Sequence, residues 1–386
     1  MKRLLLFGTG LLLTLFSCDS KPVNYQRPVE LRGVCIDVSR SNIYATPRTV
    51  AEAMHFLGMN HFNAVFPLIR MDARMIEQRR INAGLTGSIH DQISTGRDVF
   101  KELVHEAHRQ ELKIIPLIEY GIPDSLSKWT KEDSLRYRDW LMTDSTGMLM
   151  EYKGHKWLNL FHPGVRQALV NLFTYLVEEY QTDGVMGGSQ LFSQPLQGVY
   201  SDSVQKYFFK QEYSELLAKQ YGEPDWQRWY REESNRNIRK IYKEFKSKCP
   251  TALNCWLTDV AGKSTAEIVH DWANWLNGGY ADLVIPVIEA PEIESYERTL
   301  SSLHPDSIAL FRNQERIVPG VVLSTAKTAN TTAFVLQVVE NNRRKGYQGE
   351  VFFWFADLFG KDNPVTQNLR QTHYLRPAKY WQAALY

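Results

Sequence analysis

From Leu31 onward, apolar runs of strand length alternate with longer segments whose apolar residues recur at helical spacing, the pattern of successive parallel βα units. Eight runs carry the alternation: LRGVCID, FNAVFPLI, KIIPLIEYG, DGVMGG, ALNCWL, ADLVIPVI, RIVPGVVL and EVFFWFA. Between the third and fourth of these strands, Pro163 stands where a first helical turn accepts proline, and Val165, Leu169, Leu172, Phe173, Leu176, Val177 and Tyr180 line one face, as a helix packed on a sheet requires. The stretch IDVSRSN after the first strand contains no glycine-rich phosphate loop, which sets aside a doubly wound dinucleotide fold. The expected architecture is therefore α/β, a single (β/α)8 TIM barrel. Its connections are uneven. Long loops follow strand three, from Tyr120 to His162, and strand four, where a helical insertion is expected from about Ser201 to Tyr221. Both lie on the face where barrel active sites are built. The segment WYREESNRNIRKIYKEFKSK mixes charges of both signs and reads as a solvated outer helix before strand five. The residues after Asp357 read as a tail wrapping the barrel.

The first residues change this picture only at the N-terminus. Lys2 and Arg3 precede a short apolar run from Leu4 to Phe16 that ends in LFSC. This is signal-peptide organisation, too short for a comfortable bilayer span, and its end resembles a bacterial lipobox with Cys18 as the lipidated residue. The expected organisation is a signal peptide over 1–18, a polar tether over 19–29 and the barrel with its tail over 30–386. The expected location is the bacterial cell envelope, with the membrane a partner through the lipid anchor. Lys and Arg total 45 against 43 for Asp and Glu, and loss of the leader leaves the rest formally neutral. Such a balance excludes the basic surface that nucleic acid demands. Cys35, Cys249 and Cys255 are an odd set in an oxidising compartment and are expected as buried thiols. Nothing along the chain sets the oligomeric state.

Candidate chemistry comes from the C-terminal tips of the strands, where side chains converge on a barrel's mouth. Asp37, Arg70, Glu119, Asp259, Glu289 and Asp357 occupy these positions. Glu119 directly follows an apolar run, where partial burial would raise a carboxyl toward the range of a general acid. Glu289 is the second candidate carboxylate, and Arg70, Asp37, Asp259 and Asp357 are candidates for holding a substrate. Tyr120, Trp157, Trp256 and Trp354 lie near the tips and suit the flat C–H faces of sugars. HEAH at His105 to His108 lacks the spacing of a zinc helix, NTT at Asn330 carries little weight, and no serine nucleophile elbow, metal cluster or cofactor is indicated.

The segments ELRGVCID, NAVFPLIRMDARM, FKELVHEAHRQELKIIPLIEYG, WLNLFHPGVRQALV and TDGVMGG, in that order, resemble the glycosyl hydrolase-like 10 family of bacterial barrels. The resemblance implies a (β/α)8 barrel acting on glycans at the envelope. Family members typically run from Asp-Gly through a strand into two adjacent acids and an aromatic residue. Here Asp183, Gly184 and Val185 match, while the acid positions fall on Gly188 and Ser189 and the aromatic on Gln190. Neither replacement donates a proton or holds an oxocarbenium charge. Two expectations follow. One is an envelope-anchored glycoside hydrolase with Glu119 as general acid and Glu289 or Asp37 as its second carboxylate. The other is a glycan-binding pseudoenzyme that keeps Arg70, Asn159 and the rim aromatics as contacts. In either, the bare Gly187 and Gly188 are expected to widen the pocket floor.

Overall fold

The computed structural model describes residues 28–86, 96–120, 130–143, 148–149, 151–152, 155–192, 224–259, 271–303, 313–323 and 331–380. The expected leader, Cys18, most of the tether and the insertion after strand four lie outside the described residues. Eight parallel strands close a barrel: β1 Leu31–Ile36, β2 Ala64–Met71, β3 in two pieces at Lys113–Ile114 and Leu117–Tyr120, β4 Gly184–Gly187, β5 Leu253–Asp259, β6 Leu283–Ile288, β7 Gly320–Val322 and β8 Gly349–Phe353. Each pairs with its sequence neighbours, and β8 closes the ring on β1 from Leu31↔Gly349 to Cys35↔Phe353. Pro116, which has no N–H to give a ladder, separates the two pieces of β3, yet its carbonyl accepts the Met186 N–H at 2.9 Å. β7 is shorter than its apolar run. Pro319 divides that run, and Ile317 makes only an isolated bridge to Val284.

The strand period of two separates two cores. Leu31 and Cys35 of β1, Ala64, Phe66 and Leu68 of β2, Leu117 of β3, Met186 of β4 and Leu253, Cys255 and Leu257 of β5 fill the lumen. Val34, Val65, Ile69, Ile118, Val185, Trp256 and Phe352 face the helices. Those helices include α1 Pro47–Met59, α2 Val99–Arg109, α3 Pro163–Tyr180, α4 Pro224–Lys248, α5 Trp272–Asn277, α6 Ile293–Ser302, α7 Thr331–Arg344 and α8 Pro364–Gln371. The α3 helix forms where its apolar face predicts, and α4 is the expected outer helix before β5. Cys35, Cys249 and Cys255 are buried thiols. No helix among the described residues is long and apolar enough to cross a membrane.

At the end of the barrel where the strands begin, Asp183 closes the entry to β4. Its carboxylate accepts Lys113 Nζ at 2.7 Å and the Ile114 N–H at 2.9 Å and meets His108 Nε2 at 3.0 Å. His108 thus serves a strand entrance, and no metal-binding cluster occurs among the described residues. The C-terminal segment ties down the same end. Arg32 donates to the carbonyls of Arg376 and His373 and stacks on Tyr374 at 4.3 Å, Tyr374 donates to buried Glu350 at 2.6 Å, and Val29 bridges Lys379.

Candidate active site at the barrel mouth

Alternation carries the lumen-facing set of each strand up to its tip. Cys35 leads to Asp37, Leu68 to Arg70, Leu117 to Glu119, Met186 to Gly188 and Leu257 to Asp259. These five neighbouring strands therefore place two acids and an arginine on one side of the mouth and one acid on the other, with a glycine between. Arg70 and Glu119 are direct register partners on β2 and β3.

Asp37 and Arg70 form a two-pronged pair, Nη1 to Oδ1 and Nη2 to Oδ2, both at 2.8 Å, while the Ser39 N–H adds a third bond at 2.9 Å. Burial pushes the Asp37 carboxyl up, but the hydrogen bonds from Arg70 and Ser39 and the charge of Arg70 outweigh it and hold the acid below its ordinary value. Arg70 is raised in turn, first by its bond to Asp37, against burial, with the charge of Glu119 adding to the effect. Beneath them Cys35 is pushed well up by burial and then by Asp37, with Glu119 contributing. Glu119, Asp37 and Arg70 thus share one electrostatic neighbourhood directly above the lumen core.

The two glycines of DGVMGG play different parts. The backbone N–H of Gly188 donates to the Ile118 carbonyl at 2.8 Å, and a Cβ built on Gly188 would overlap the Glu119 carboxylate. Glu119 therefore reaches sideways from β3 and lays its acid group over the tip of β4. Gly187 faces outward, and a Cβ there would run into the indole of Trp256. The expectation of a widened floor is thus corrected, because a carboxylate fills one space and an indole the other.

Four expected contacts are buried away from the mouth, Trp256 and Tyr120 because the strand period turns them outward and Trp157 and Asn159 in the connection before α3. Trp256 is 1% exposed and packs outside the barrel wall against Trp275 and Phe173, with ring centroids 6.0 and 6.4 Å away. Tyr120 and Trp157 are buried together 6.1 Å apart. Asn159 is buried and its Oδ1 accepts the Phe161 N–H at 3.1 Å, holding the turn into α3. None of these four offers an open face to a sugar. Trp354 does stand at the rim, half-buried, with the exposed guanidinium of Arg40 5.2 Å above its ring. Glu289 is exposed just beyond β6, and Asp259 is half-buried at the end of β5. Asp357 ends a short turn, Phe355–Asp357, that follows β8, and its Oδ2 is buried with no hydrogen-bond partner among the described residues.

Two residues at this mouth carried no sequence signal strong enough to single them out. Arg40 ends the turn that Asp37 caps. Tyr44 is buried with its hydroxyl unpartnered among the described residues, and burial, then Cys35 and Asp37, push it well up. The loop IDVSRSNIY has no regular period, so only its three-dimensional course brings Tyr44 back over β1.

Residues 30–315 match the glycosyl hydrolase-like 10 family. No curated protein matches the chain. Among solved structures, the catalytic domain of a β-amylase from Paenibacillus polymyxa superposes with a TM-score of 0.58 at 11% identity, covering 91% of this chain and 100% of that one. A β-galactosidase from Marinomonas ef1 gives 0.54 at 11% identity over 83% of this chain and 53% of its own. The α-L-fucosidase isoenzyme 2 of Paenibacillus thiaminolyticus gives 0.53 at 12% identity over 90% and 50%. At these identities the likeness is one of fold, and the chain spans about half the length of the last two.

Proposed function

The chain belongs to the glycosyl hydrolase-like 10 family, and from that premise we propose that it hydrolyses a glycan, using an acid delivered to the tip of β4 from the neighbouring strand. The observation that carries this reading is the Glu119 carboxylate lying over Gly188. It sits where a side chain of β4 itself would otherwise project, the position at which the family's typical pattern has an acid. Glu119 serves as general acid toward the glycosidic oxygen.

Asp259 is the preferred second carboxylate. Gly187 pairs with Trp256, which sets Gly188 level with Leu257 and Asp259 two residues further along β5. Strand spacing and rise put the Cα atoms of Gly188 and Asp259 about 8 Å apart, so carboxyl groups above them fall within reach of the ~5–9.5 Å used by glycosidase pairs. Asp37 suits positioning better than proton transfer, because Arg70 engages both its oxygens and keeps it charged. Trp354 is the remaining rim aromatic for a sugar face. The ligand is a poly- or oligosaccharide of the envelope or its surroundings, and Cys18 anchors the protein in a bacterial membrane.

Mass spectrometry of products from the mature chain, incubated with a panel of envelope and plant glycans beside Glu119→Gln and Asp259→Asn, tests this. Release of oligosaccharides by the wild type and its loss in Glu119→Gln is the expected result. Undiminished release by Glu119→Gln would remove Glu119 from the acid role. Retention of one glycan without cleavage by the wild type would instead make the barrel a binding protein.

A further inference from the structure

The end of the barrel opposite the mouth carries an apolar surface edged with positive charge. Met59, the last residue of α1, and Leu375, four residues past α8, are 59% and 58% exposed, an unusual disposition for large apolar side chains that are not scattered singly. They are neighbours because one guanidinium ties their backbones together. Arg370 Nε donates to the Met59 carbonyl at 3.2 Å and Nη1 to the Leu375 carbonyl at 2.9 Å. One turn back along α1, Phe56 meets the ring of Phe359 at 5.1 Å, and Phe359, 45% exposed, extends the surface along the flank. Arg370, Arg376 and Lys379 surround Leu375 in the chain, and neither Arg370 nor Lys379 forms an ion pair among the described residues.

This surface adjoins the point from which the N-terminal tether departs. The Lys379 N–H donates to the Pro28 carbonyl at 2.8 Å, and Val29 bridges Lys379. Residues 19–27 let Pro28 lie no further than about 35 Å from Cys18, so a lipid on that cysteine holds this end of the barrel near a bilayer. We infer that Met59, Leu375 and Phe359 form a second membrane contact, with Arg370, Arg376 and Lys379 meeting anionic phospholipid headgroups. The diacylglycerol that a lipobox cysteine carries supplies the anchor, and a basic and apolar patch adds a second contact with anionic lipid. The barrel then rests on the end where its strands begin and turns the mouth of Glu119 away from the bilayer. The inference rests on lipidation at Cys18 and is independent of catalysis.

The test uses the mature lipidated chain with single Met59→Cys, Leu375→Cys or Leu135→Cys substitutions carrying an environment-sensitive bimane dye. Leu135 is a control because it is 66% exposed in the helix Lys131–Arg136 of the connection that follows β3, and the three buried native thiols leave the introduced one to react. Proteins are floated with phosphatidylethanolamine–phosphatidylglycerol vesicles containing a spin-labelled lipid quencher. Blue-shifted emission and at least twofold quenching at positions 59 and 375, with none at 135 and weaker quenching in phosphatidylcholine vesicles, is the expected result. Flotation without quenching at 59 and 375 overturns the contact while leaving the anchor intact. Failure to float overturns anchor and contact together, and neither result touches the glycan reading, which product release tests separately.

Discussion

At Gly188 the absent Cβ is what allows an acid from β3 to lie across β4. Substitution by alanine meets the far end of a flexible side chain, so Gly188→Ala is expected to fold with a melting temperature close to wild type while turning Glu119 out of position. Glycan cleavage should then fall by about 10²-fold or more, the usual contribution of a general acid. Gly187→Ala should behave in the opposite way. Its Cβ meets an indole ring held between Phe173 and Trp275, and overpacking of this kind costs about 1–3 kcal/mol, measurable by urea denaturation. The Asp37–Arg70 pair makes a prediction in pH. Asp37 is depressed in the folded protein, so its stabilising effect is present above the unfolded carboxyl value of about 3.9 and is lost as pH falls through the lower folded value. Asp37→Asn should remove that acid dependence and, by taking the two-pronged partner from a half-buried guanidinium, cost about 1–3 kcal/mol at neutral pH. Equal acid slopes in the two proteins would show that the pair is not what titrates.

Among the elements, β4 is a strand of only four residues, and Asp183 fixes where it starts. The carboxylate there satisfies the Ile114 N–H and Lys113 from the adjacent strand. Asp183→Ala should destabilise by about 1–3 kcal/mol through the donor it orphans, with glycan affinity unchanged because the mouth lies at the other end of the strand. A loss of glycan affinity in the folded Asp183→Ala protein would place Asp183 in the site instead. Alternation within the elements was legible from the chain. LNCWLTD puts Leu253, Cys255, Leu257 and Asp259 on one face and Trp256 on the other, so the burial of Trp256 follows from period two. The side chains of Tyr120 and Glu119 divide between wall and lumen in the same way.

For the molecule as a whole, the C-terminal segment is bound to the barrel through buried charge. Burial raises Glu350 despite the hydrogen bond from Tyr374. A carboxyl raised in this way favours the folded state most below the unfolded value near 4.3 and loses that contribution as pH rises through the folded value. Tyr374→Phe removes the donor that opposes the rise, so it should cost about 1–3 kcal/mol and cost more at pH 7 than at pH 4.5. Thermal melts at the two pH values decide this, and a loss larger at the lower pH would contradict it.

The chain by itself determined the eight βα units, the helical faces, the absence of a nucleotide loop and the set of acids at the strand tips, because each depends on the spacing of residues near one another in sequence. It also supplied the resemblance to the family whose model matches residues 30–315. What only the tertiary structure decided was which side chain fills the space above Gly188. The register between β3 and β4 brings the Glu119 carboxylate over a Cα with no side chain, and the return of the first loop sets Tyr44 and Arg40 at the mouth. Those approaches join residues far apart in the chain, and they depend on the stagger of neighbouring strands in a closed barrel, which local periodicity does not encode.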